Sequence, residues 1–136
     1  MTHRLLLSLA LILLPLKVLA WDYQLMRGID LYSVTQNNIT IRIVCDPNEV
    51  FGSSQSAIII EIDANPALSD SIGFEFPSEE IIETNLVYGQ ISKSHIEHNT
   101  WQRLLEGFRS YTEVTIGIQS QTRHLTLGDL VEFSCR

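Results

Sequence analysis

Basic residues are scarce. Nine Lys and Arg stand against 16 Asp and Glu in 136 residues, a formal net charge of −7. That balance argues against a protein held to nucleic-acid phosphates. Aromatic residues make up 8% of the chain and are not interleaved with basic ones, so a stacking platform for single strands is not expected. Gly89 and Gly107 stand alone and form no phosphate cradle. No serine lies in a Gly-x-Ser-x-Gly elbow. There is no internal repeat, low-complexity tract or linker, and the length leaves room for one domain. At 45% apolar residues the chain is too hydrophobic for a disordered one.

The first 20 residues read as a secretory signal. Arg4 follows a short polar start, residues 5–14 are apolar except Ser8, and Val18 and Ala20 occupy positions −3 and −1 of a cut before Trp21. The apolar run is about half of the roughly 20 residues a bilayer-spanning helix needs. An uncleaved anchor is the alternative. No cysteine stands at the cut, so a lipid-anchored form is not indicated. Removing Arg4 and Lys17 leaves seven basic residues against 16 acidic ones, a net charge of −9 for residues 21–136. No later stretch is apolar enough to span a membrane. The expected location is the periplasm or the extracellular space.

Cysteine is nearly absent: Cys45 and Cys135 are the only two. In an oxidising compartment they are expected to pair within the chain, with an intermolecular bridge or a free thiol pair as alternatives. A pairing would deny either sulfur the thiolate that a nucleophile requires.

What the chain does have is two-residue alternation. In Ile39–Cys45, residues Ile39, Ile41, Ile43 and Cys45 share one face while Thr40, Arg42 and Val44 share the other. Asn37 and Asn38 before it supply turn chemistry, and residues 29–34 make a hairpin partner through residues 35–38. Residues 57–63 suit a central strand, and residues 72–76 alternate up to Pro77. Residues 80–83 and 86–91 are expected as short strands. Residues 111–118 place Val114, Ile116 and Ile118 on one face and Glu113, Thr115 and Gly117 on the other. Residues 123–127 close the set. One segment changes period: Trp101, Leu104, Leu105 and Phe108 fall at i, i+3, i+4 and i+7, a helical stripe capped by Asn99 or Thr100. A second helical turn is expected over residues 129–132. The fold predicted is mainly β: a single antiparallel sandwich or partly open barrel of seven or eight strands, with one packed helix near residues 100–109.

Candidate chemistry is thin. His95 and His98, with Glu97 between them, form the most metal-like element, but zinc wants three or four ligands and His124 is the only other histidine after residue 20. Glu79, Glu80 and Glu83 form an acidic knot beside Pro77. Paired carboxylates can do acid–base work when one is buried, but chain neighbours on a strand point to opposite faces, and a solvated loop rim is the commoner place for Glu. Trp101, at the head of the apolar stripe, is expected to pack, with an exposed binding role as the alternative. Asn38-Ile39-Thr40 is a glycosylation sequon.

The order of elements resembles that of small exported bacterial β-domains, including periplasmic accessory proteins associated with type VI secretion. The shared layout is an apolar strand ending in cysteine (Ile39–Cys45), a central strand, a short alternating strand (72–76), the Trp101-led helix, a following strand and a terminal cysteine. Glu75, Phe76 and Pro77 stand where a basic-then-acidic pair would follow the short alternating strand. The resemblance implies a non-enzymatic role without catalytic residues. The expected function is therefore an exported domain that binds another macromolecule, with a basic protein as partner, no cofactor and no nucleic acid. Glu79, Glu80 and Glu83 are its candidate contact residues. A small carboxylate-dependent hydrolase and a metal carrier using His95 and His98 are the alternatives.

Overall fold

In a computed structural model, which describes residues 21–135, two antiparallel sheets face each other across one apolar core. The first sheet has the order β1-β2-β3-β4-β7, from β1 (Asp22–Met26), β2 (Ile29–Gln36), β3 (Ile39–Cys45), β4 (Ala57–Ile62) and β7 (Gln90–Ser92). The second has the order β6-β5-β8-β9, from β5 (Asp70–Glu75), β6 (Ile82–Leu86), β8 (Glu113–Ile118) and β9 (Gln121–Thr126). The arrangement is the sandwich alternative, not a closed barrel. The leader expected over residues 1–20 lies outside the described residues.

Alternation does what it predicts. Ile39, Ile41, Ile43 and Cys45 are buried in β3, and Val114, Ile116 and Ile118 in β8. Two-residue turns fix the registers. Asn37 and Asn38 both have positive φ, 51° and 59°, between the paired residues Gln36 and Ile39. Such a turn twists in the same sense as the strands it joins, and asparagine tolerates the left-handed region. Arg27 and Gly28 do the same between β1 and β2, and Gln119 and Ser120 between β8 and β9.

Three expectations are corrected and one strand is added. The strands expected over residues 80–83 and 86–91 are instead β6 (Ile82–Leu86) and the short β7 (Gln90–Ser92), because the turn falls at Tyr88 and Gly89 between the bridged Val87 and Gln90. Strand β1 was not expected: all five of its residues are exposed, so it carries no burial pattern. Residues 129–132 are not helical. The main helix, α1 (His98–Ser110), starts after Glu97, with no side-chain cap, so Asn99 and Thr100 lie inside its first turn.

Helix α1 buries its whole stripe: Trp101, Leu104, Leu105 and Phe108 are each 0% exposed. Phe108 meets Phe76 and Phe74 edge-on, with ring centroids 5.1 and 5.8 Å apart, and reaches Trp21 at 6.1 Å. The C-terminal segment fills the remaining side of the core. Phe133 packs edge-on against Tyr32 and Trp21, and Arg109 donates hydrogen bonds to the carbonyls of Phe133 and Cys135. Residues 129–132 bridge two tied points, Leu127, whose N–H bonds the Thr112 carbonyl, and the Phe133 and Cys135 carbonyls held by Arg109. Cys45 and Cys135 form a disulfide across 90 residues of chain. Loop-closure arguments value such a link at about 4–5 kcal/mol.

Candidate functional site

The outer face of the β6-β5-β8-β9 sheet collects acids and hydroxyls. Its outward positions follow from the buried ones: Glu83 and Asn85 on β6, Ser71, Gly73 and Glu75 on β5, Glu113, Thr115 and Gly117 on β8, Thr122, His124 and Thr126 on β9. No Lys or Arg stands among these positions. An open groove of about 680 Å³ runs over this face, lined by Asp70, Ser71, Glu75, Ile81, Glu83 and Thr115 among others.

Its floor is made of glycine. Gly73 and Gly117 are cross-strand partners, and Gly117 in turn faces Thr122. At Gly117 the backbone of β8 lies open to whatever enters, whereas the Ile81 side chain lies over Gly73. The two glycines differ in cause. A Cβ on Gly73 would come within 3.3 Å of the Ile81 side chain, so packing already favours glycine there. A Cβ on Gly117 would meet nothing within 4 Å, and its φ is not in the left-handed region. Folding therefore does not require glycine at position 117, although glycine in a strand costs roughly 0.5–1 kcal/mol against a residue with a side chain.

The acidic knot divides between two clefts. Glu83 lines the glycine-floored groove together with Glu75. Glu79 turns toward the helix, where the Tyr111 hydroxyl donates to its Oε1 at 2.9 Å. The carboxylate accepting that bond, with burial and the charges of Glu79 and Glu106, holds the Tyr111 phenol above its ordinary range. Glu80 is exposed in the intervening loop. At the other end of the sheet, His124 Nε2 lies 3.3 Å from Glu113 Oε2, and its Nδ1 lies 3.2 Å from the Thr115 hydroxyl.

His95 ends a short 3-10 turn, Lys93–His95, while His98 opens α1, and both are exposed. Among the described residues no group of three or more His, Cys, Asp or Glu side chains could hold a metal ion. Trp101 is fully buried and serves packing. Asn38 is exposed in the β2–β3 turn. Among the described residues no helix is long and apolar enough to cross a membrane.

Alternation places Gly117, Thr115 and Glu113 on one face but does not pair Gly117 with Gly73. That pairing depends on β5 lying beside β8, a strand distant in sequence that alternation cannot name. Comparison with protein families, curated proteins and solved structures gives no match to this chain.

Proposed function

We propose that the chain is an exported, non-enzymatic domain that binds a basic, extended segment of another protein along the outer face of the β6-β5-β8-β9 sheet. The observation that carries this reading is Gly117. A glycine that sterics do not demand, at the centre of a sheet face free of Lys and Arg, keeps a path open for a second backbone. Glu75, Glu83 and Asp70 on the groove walls attract lysine or arginine side chains, and the hydroxyls of Ser71, Thr115 and Thr122 accept their hydrogen bonds. Complementary charge of this kind speeds encounter and sharpens selectivity. The oxidised Cys45–Cys135 pair supports an address outside the cytoplasm. The layout likeness to exported accessory proteins points to the same non-enzymatic class.

Charge reversal tests the reading. The exported chain, immobilised, is used to capture proteins from its own periplasmic or extracellular fraction at low and high salt. A bound protein should be basic and should elute as salt rises, because exposed charges are screened beyond about 10 Å at 0.1 M. Glu75→Lys with Glu83→Lys should abolish capture. Reversing Glu79 and Glu80 instead should weaken it only slightly, since these lie outside the groove lining. Equal effects of the two pairs would remove the groove from the account.

A further inference from the structure

The opposite sheet leaves one edge bare. Among the described residues nothing pairs with the outer side of β1, and every residue of Asp22–Met26 is exposed. Around this edge gather five of the nine exposed large apolar side chains: Tyr23 (58%), Leu25 (63%), Met26 (50%), Val50 (42%) and Phe51 (64%). Val50 and Phe51 are held there. The buried Asp46 carboxylate accepts the N–H of Val50 and of Gln55, fixing the loop that carries them. A Cβ on Gly28 in the β1–β2 turn would lie 3.2 Å from Val50.

The other sheet's free-standing edge at β9 is closed. The Gln36 side chain accepts the Thr126 N–H, Asn37 donates to the His124 carbonyl at 2.7 Å, and Arg123 pairs with Asp63. Monomers commonly blunt a bare edge with lysine, proline or a bulge. Strand β1 has none of these; its register with β2 is unbroken.

We infer that β1 is a self-association edge, on which a second copy of this chain pairs antiparallel about a two-fold axis through Gln24. The backbone sets the register. The two-residue turn at Arg27 and Gly28 makes Met26 and Ile29 a hydrogen-bonded pair, so Gln24 and Asp22 bond inward as well. Tyr23 and Leu25 are left with N–H and C=O groups directed outward. Placing Tyr23 of one copy opposite Leu25 of the other satisfies both residues twice over and keeps both bonded pairs within Asp22–Met26. The same register sets aromatic against aliphatic side chains, a favourable cross-strand pair. It also sets Asp22 of each copy opposite Met26 of the other and one position from Arg27 in the adjoining turn, so charges of opposite sign meet at both ends of the paired strands. The result joins two five-stranded sheets into one of ten strands.

Sedimentation equilibrium of the full chain, purified after export, over a range of concentrations reads the association directly. A monomer–dimer equilibrium is expected. Asp22→Arg or Arg27→Asp alone should weaken it roughly tenfold, from two exposed ion pairs lost and reversed, and the double exchange should restore it. Position 27 tolerates aspartate, because Asp-Gly suits its turn. Gln24→Cys should give a disulfide-linked dimer, since the facing Cα atoms of a non-hydrogen-bonded pair lie about 4.5 Å apart, within disulfide reach. Thr35→Cys, exposed elsewhere on the same sheet, should not. Leu25→Lys should yield a monomer whose thermal midpoint matches that of the wild-type chain diluted until it is monomeric. A wild-type chain that remains monomeric at every concentration overturns the inference. So does a dimer indifferent to the charge exchange, or slowed Tyr23 and Leu25 amide exchange seen only when a different exported protein is added.

Discussion

The ring of Phe76 occupies the space where a side chain on residue 107 would begin: a Cβ on Gly107 would lie 2.2 Å from Phe76 Cε2. Phe76 is the last aromatic before Pro77, and Gly107 is the smallest residue on the buried face of α1. The helix approaches the sheet as closely as it does because this one position has no side chain. Alanine at 107 would gain about 1 kcal/mol of helix propensity. It would also force a buried ring out of its place, an overpacking cost of typically about 1–3 kcal/mol. Gly107→Ala is therefore expected to lower the urea midpoint; a raised midpoint would show that the helix does not sit against Phe76.

Asp63 and Arg123 join the two sheets at the β9 edge through paired bonds of 2.9 and 2.7 Å. The guanidinium holds the Asp63 carboxyl below its ordinary range, and partial burial opposes that only in part. A folded-state pKa below the unfolded one contributes stability that is present above the ordinary carboxylate range. That contribution is lost as pH falls through the depressed value. Thermal midpoints recorded from neutral pH down into strong acid should thus fall more steeply for the wild-type chain than for Asp63→Asn. Parallel curves would mean that the pair has no preference for the folded state.

The disulfide does more than close a loop, since residues 127–135 have no strand or helix of their own and depend on it, on Phe133 and on Arg109. Replacing Cys45 and Cys135 together by alanine should cost about 2–5 kcal/mol. Amide exchange should speed up first in residues 127–135 and only afterwards in β3. Uniform loss of protection across both sheets would show that the tail is not a separately tethered unit.

Much of the fold was legible where burial has a period. The stripe of Trp101, Leu104, Leu105 and Phe108 predicts a helix that the structure contains, and the Ile39–Cys45 alternation predicts a strand buried on one face. What was not legible lacks such a signal. Strand β1 is held by register rather than by burial, so its exposed residues have no pattern to read. Gln119 and Ser120 adopt positive φ although neither residue type advertises it; the twist of the hairpin imposes the conformation. The acidic knot was visible as a run, yet chain neighbours diverge in space. Glu79 faces Tyr111 and Glu83 faces the groove, while Glu75, four positions before Glu79, shares the groove with Glu83.

Position 117 offers the most direct test of the binding face. Gly117→Thr adds a branched side chain where a Cβ has room and a strand favours one, so the variant should be more stable by roughly 0.5–1 kcal/mol. The same side chain would stand in the middle of the groove floor. Amide chemical shifts are followed as oligolysine peptide is titrated into both proteins. In the wild-type chain, shifts should cluster on Ser71, Gly73, Glu75, Glu83 and Thr115, and in the stabilised variant binding should weaken at least tenfold. Unchanged affinity in the Gly117→Thr protein, or shifts scattered over acids on every face, would contradict the account.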